Sequence, residues 1–171
     1  MYKVGDLVLY GSVGVCRITD ITEKKSPSGN MGLYYELDPI YRTCTIYSPV
    51  SSNKVFMRPV ITREEAERLI DIIPTIKAEA YRGGAVRDLV QHYETSMKTY
   101  DCADLIELSM SIYAKRRQAI EQKKKFGSID ERFLKRTEEL LFGELAVALG
   151  ISIDEVPGYI EERVSEAKGT S

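Results

Sequence analysis

The chain has 171 residues, 43% hydrophobic and 29% charged, with a formal charge of -2; that is enough apolar material for one moderate core or two small ones, and too little net charge for unspecific nucleic-acid affinity of the whole molecule. A single histidine, His92, leaves no His pair for a metal, and three widely spaced cysteines, Cys16, Cys44 and Cys102, offer neither a disulfide framework nor a C-x-x-C zinc spacing. No run has the order of a signal peptide or approaches the roughly 20 apolar residues that span a bilayer, so a soluble, cytoplasmic protein with reduced, buried or half-buried cysteines is expected.

In chain order, Gly5-Asp6 turns into an alternating strand, Leu7 to Tyr10, and Gly11-Ser12-Val13-Gly14 reverses the chain into a second strand, Val15 to Ile21. Period-two runs follow at Leu33 to Leu37, Thr43 to Tyr47 and Lys54 to Met57, separated by Ser26-Pro27-Ser28-Gly29-Asn30 and Ser51-Ser52-Asn53, whose chemistry is that of turns. Five short strands are too few for a sandwich. The economical solution is a small, partly open barrel of the SH3 or Tudor type over residues 1–60.

Beyond Pro59 the pattern becomes helical. Thr62-x-x-Glu65, Ser128-x-x-Glu131 and Ser152-x-x-Glu155 have capping-box spacing, and Asp101 is a further N-cap candidate. Pro74, Gly83-Gly84, Gly127 and Gly150 punctuate the helices. Leu105, Leu108 and Ile112 form one apolar stripe; Phe133, Leu134, Leu140, Leu141, Leu145 and Leu149 form another, and both are expected to be core. The fold class is therefore α+β in two domains: the barrel, and over residues 61–171 an all-α compact bundle of four or five helices.

Charge is segregated in the second half. Between Tyr113 and Arg136 stand nine basic residues, Lys115, Arg116, Arg117, Lys123, Lys124, Lys125, Arg132, Lys135 and Arg136, against the acids Glu121, Asp130 and Glu131. A patch of this kind suits a nucleic-acid backbone, where each neutralised phosphate releases counterion, and implies contact without base readout. The alternative is a solvated surface in which cations complement a helix C-terminus. Enzymatic chemistry is not expected: there is no phosphate-binding glycine loop, no nucleophile elbow and no metal-ligand cluster.

The opening G-D-x-V-x-Y-G-x-x-G-V (Gly5 to Val15), the strand Lys54 to Val60 and the segment Leu140 to Ala146 together resemble the CarD/CdnL family of bacterial transcription regulators. The N-terminal part is also similar to the polymerase-interacting module of transcription-repair coupling factors. The resemblance implies a Tudor-like domain docked on the RNA polymerase β subunit by strand addition, and a helical domain on promoter DNA near the upstream edge of the transcription bubble, modulating the stability of the open promoter complex. No cofactor, membrane or small-molecule substrate is implied.

Residue by residue, the resemblance places polymerase binding at Lys24 and at Tyr47, where some relatives carry a second basic residue. On the DNA side, some relatives wedge a tryptophan into the bubble edge; this chain has none, and the position falls at or near Leu89, with Arg87 beside it. Leu89 either acts as a smaller wedge or packs within its own bundle. Arg132 and Arg136 match basic positions on the family's DNA-facing helix, whereas Glu131 stands where some relatives have lysine, a loss that Lys123 to Lys125 could offset. The alternative function keeps polymerase docking and makes the helical domain an adaptor for another protein.

Overall fold

A computed structural model describes residues 1–52 and 54–169; Asn53 of the anticipated Ser51–Asn53 turn lies outside them. The chain divides into two compact units, Met1–Thr62 and Arg63–Ser171.

In the first unit the strands are β1 (Leu7–Tyr10), β2 (Gly14–Lys25), β3 (Met31–Pro39), β4 (Ile46–Pro49) and β5 (Met57–Pro59), in one antiparallel sheet of order β4-β3-β2-β1-β5. A single turn of 3-10 helix, Gly11–Val13, reverses β1 into β2, and Gly11 and Gly14 both take positive φ there (45° and 93°), a conformation that a Cβ would strain. Val8, Tyr10, Cys16, Ile18, Tyr35 and Leu37 form the core, with Tyr2, Ile21, Ile46 and Met57 packed against it. Ile18 and Ile21 are three apart, which alternation would put on opposite faces. A bulge between Ile18 and Asp20 inserts one residue and returns Ile21 to the core side.

The sheet departs from the sequence reading in four strands, and β3 (Met31–Pro39) runs two residues beyond Leu33–Leu37 at each end. β2 runs four residues further than Ile21, because its hairpin partner β3 continues to Met31. β4 starts at Ile46 and not Thr43: the Ile40 N–H still bonds the Val15 carbonyl of β2 at 3.0 Å, and the exposed residues 41–45 then carry the chain round to the far side of β3, where pairing begins at Leu37↔Ile46. β5 begins only at Met57, where pairing with Tyr10 of β1 begins. Cys44, in that exposed segment, corrects the expectation that all three cysteines are at least half-buried.

The second unit contains α1 (Arg63–Ile72), α2 (Val86–Met97), α3 (Cys102–Glu121), α4 (Ser128–Leu149) and α5 (Val156–Gly169). Asp101 caps α3, its carboxylate accepting the Ala103 and Asp104 N–H groups at 2.9 and 3.3 Å. The return bond of the third anticipated box is present, Ser152 N–H to Glu155 at 3.2 Å, on a 3-10 turn leading into α5. The second box is corrected: Gly127 is the N-cap of α4, so Ser128 lies one position inside the helix. Gly150, at φ 70°, closes α4 in the left-handed conformation, and the Ile151 N–H reaches back to Ala146 O at 3.1 Å.

α4 packs against each of the other four helices, and every residue of the two predicted apolar stripes is buried. That makes α4 the axis on which the other helices are placed. α5 is clipped to α1 by Arg163, which donates to both oxygens of Asp71 at 2.6 and 3.0 Å and holds that carboxyl below its ordinary range.

Candidate functional site

The β4 edge brings together residues 23 positions apart. Side chains of β3 alternate between the core face (Tyr35, Leu37) and the opposite face (Tyr34, Glu36), and cross-strand register puts Tyr47 opposite Glu36 and Lys24 opposite Gly32. Lys24 and Tyr47 therefore share the outer face. The Lys24 ammonium sits 3.2 Å from the centroid of the Tyr47 ring, and the Tyr47 hydroxyl donates to Glu36 at 3.4 Å. Tyr47 is 43% exposed, so the cation–π pair is presented at the surface.

The main chain at this edge is open too. The Val50 N–H bonds Leu33 O at 3.0 Å, so alternate residues Ser48 and Ile46 face β3, and the Tyr47 N–H and C=O turn outward. Among the described residues no strand pairs with β4 on that side. Pro49 follows on the outward-facing register, where a missing N–H costs no ladder bond.

In the helical unit, the basic residues come from three helices and a connector. Arg87 is exposed on α2 and Leu89 half-buried on the same helix, with Val86 66% exposed at its start. Arg116 and Arg117 are exposed near the end of α3, Lys123, Lys124 and Lys125 in the connector, and Arg132, Lys135 and Arg136 on α4. Arg132 and Arg136 lie one helical turn apart, each guanidinium carbon 5.2 Å from the centroid of the Phe133 ring.

Lys115 is placed differently. Its side chain is 18% exposed and its ammonium lies 3.0 Å from Asp130 Oδ1, in an ion pair with a carboxylate whose side chain is 7% exposed. The hydroxyl of fully buried Tyr93 donates to the same oxygen at 2.6 Å. Burial first, then the hydrogen bond to Asp130 and its negative charge, push the Tyr93 hydroxyl well above its ordinary range. Gly127 leaves room for this carboxylate: a Cβ there would stand 2.8 Å from Asp130 Oδ2. Sequence reading missed Asp130 and Tyr93 because Tyr93 and Asp130 are 37 residues apart and no local pattern pairs them.

His92 stacks on Tyr81 with ring centroids 3.7 Å apart, and burial lowers its pKa. It lines a cavity of about 660 Å³ between residues 77–81, α2 and α3, with Glu79, Asp104 and Glu107. Among the described residues no group of three His, Cys, Asp or Glu could hold a metal, and no helix is long and apolar enough to cross a membrane.

Residues 2–61 match the family model described as the CarD-like/TRCF RID domain. No curated protein matches the chain.

Proposed function

From a chain that belongs, through residues 2–61, to the CarD-like/TRCF RID family, and so carries an RNA-polymerase-interacting domain, we propose a non-catalytic transcription regulator that docks on the polymerase β subunit and modulates the open promoter complex through DNA backbone contacts. The observation that carries the docking is the β4 edge: an outward Tyr47 main chain beside the Lys24–Tyr47 pair offers strand addition and a charged anchor together. The five-stranded antiparallel sheet with its long, bulged β2 supports a Tudor-like, partly open barrel as its form.

The DNA contact is supported by the exposed cations Arg116, Arg117, Lys123, Lys124, Lys125, Arg132, Lys135 and Arg136, with Arg87 and Leu89 on α2 as the segment nearest the bubble edge. These are phosphate-type contacts, sequence-independent and salt-sensitive. A ligand that favours the open complex by differential affinity lengthens its life, and at an already stable promoter the same contacts retard escape. The setting is cytoplasmic, with polymerase and DNA as partners.

The test is the half-life of promoter complexes of cognate polymerase holoenzyme after competitor challenge, with and without the full chain, at two salt concentrations. A longer, salt-sensitive half-life, abolished by Arg132→Ala with Arg136→Ala, supports the reading. No change despite binding of the β-subunit lobe defeats the DNA contact. It would favour an adaptor role, to which Val86 and Ile120, 66% and 68% exposed, would contribute apolar contact.

A further inference from the structure

One carboxylate joins the three helices that carry the proposed phosphate contacts. Asp130, in the first turn of α4, accepts from Tyr93 of α2 and Lys115 of α3 on the same oxygen. Arg87 belongs to α2, Arg116 and Arg117 follow Lys115 directly on α3, and Arg132 and Arg136 follow Asp130 on α4. A step of one residue turns a helix by about 100°. Holding Lys115 and Asp130 face to face therefore sets the direction in which Arg116, Arg117, Arg132 and Arg136 project.

We infer that Asp130, with Lys115 and Tyr93, is the node that assembles separate basic helices into one phosphate-facing surface, and that Lys115 acts by holding this node and not by touching phosphate. The inference rests on the proposed DNA contact and refines it. To reach a phosphate, Lys115 would have to abandon a charge-assisted bond at 3.0 Å and leave a buried carboxylate without its counter-ion. Its exposed neighbours Arg116 and Arg117 have no such tie to Asp130 and need no such exchange. Lys115, Asp130 and Tyr93 are thus positioning residues.

The discriminating experiment measures binding of the full chain to a fluorescein-labelled duplex of random sequence across a salt series. The variants are Asp130→Asn, Lys115→Met and the double variant Lys115→Met/Asp130→Asn. Removing an acid from a DNA-facing surface raises affinity on charge alone. The node predicts the opposite for Asp130→Asn: weaker binding, with the log–log salt slope reduced by about 1.8, two lost contacts at about 0.9 each.

In the double variant the node is neutral, Met packs where the lysine stem lay, Asn still accepts from Tyr93, and the slope returns to that of wild type although Lys115 is gone. Amide hydrogen exchange at the end of α3 and the first turn of α4 follows the same order, faster in Asp130→Asn and restored in the double variant. Raised affinity in Asp130→Asn, or a double variant whose slope stays about 0.9 below wild type as one lost phosphate contact requires, would overturn the inference. If the wild-type chain shows no salt-dependent affinity for duplex, the DNA contact itself falls and the exchange data alone judge the node. Unchanged exchange in Asp130→Asn then overturns it.

Discussion

Lys24 and Lys115 are the same side chain put to opposite uses. Lys24 rests on the face of a surface tyrosine, 3.2 Å from the ring centroid, on the outer face of a sheet whose edge is open. Lys115 is half-buried and paired with the buried Asp130 at 3.0 Å, where a second donor, Tyr93, completes the carboxylate. An exposed cation–π pair is worth about 0.5–1 kcal/mol and leaves the ammonium able to exchange its partner. A buried ion pair is costly to break from one side, because the remaining charge has nowhere to go. The comparison teaches that a basic residue in a recognition segment contributes its charge to a partner only where its own fold has not already used it.

The largest effect should come from cutting the buried side. Asp130→Ala removes the acceptor of both Lys115 and Tyr93 and is expected to destabilise the helical unit by about 3–5 kcal/mol, read as a lowered urea midpoint with β-lobe pull-down preserved. A midpoint within error of wild type would place Lys115 and Lys24 in one class and dissolve the contrast.

Tyr93→Phe is next: it keeps the ring against Phe133, 5.3 Å between centroids, but removes one hydrogen bond to a carboxylate, costing about 1.5 kcal/mol. It also carries a pH signature. The Tyr93 pKa is raised from its ordinary 10.0 in the folded chain, so the stability it contributes is complete below about pH 10 and is lost as pH rises through the folded value. Stability measured from pH 8 to 11 should fall less steeply in Tyr93→Phe than in wild type; parallel curves would argue against a buried, carboxylate-bound hydroxyl.

On the exposed side, Lys24→Glu should weaken capture of the isolated polymerase β-subunit lobe about tenfold, or about 1.4 kcal/mol, with an unchanged unfolding midpoint. Unaltered capture would remove Lys24 from the interface. The smallest effect is expected of Tyr47→Phe, which keeps the ring under the ammonium and loses only a 3.4 Å bond to Glu36. Docking should change by less than about twofold, within the few tenths of a kcal/mol usual for a surface substitution. Tyr47→Ala, lacking the ring, should weaken capture more; equal affinities for the two variants would mean that the main chain of β4 does the docking without the aromatic face.

Much of the architecture was legible along the chain. Alternation and turn chemistry located five strands, the apolar stripes located the buried faces of α3 and α4, and Asp101 and Gly150 located helix ends, because each depends on interactions within a few residues. What shifted, the starts of β4 and β5 and the reach of β2 and β3, depends on a partner strand: a strand exists only where its neighbour pairs with it, and Ile46 and Met57 begin strands because Leu37 and Tyr10 stand opposite.

The candidate site divides along the same line. Composition and spacing alone determined that cations gather between residues 115 and 136. Only the tertiary structure decided that Lys24 lies on Tyr47, that the exposed Arg132 and Arg136 flank the buried ring of Phe133, and that Lys115 is drawn inward by Asp130. The physical reason is that a side chain's charge belongs to its sequence, whereas its partner and its distance from water are set by residues brought from elsewhere in the chain, and those two quantities decide whether the charge stabilises the fold or meets a ligand.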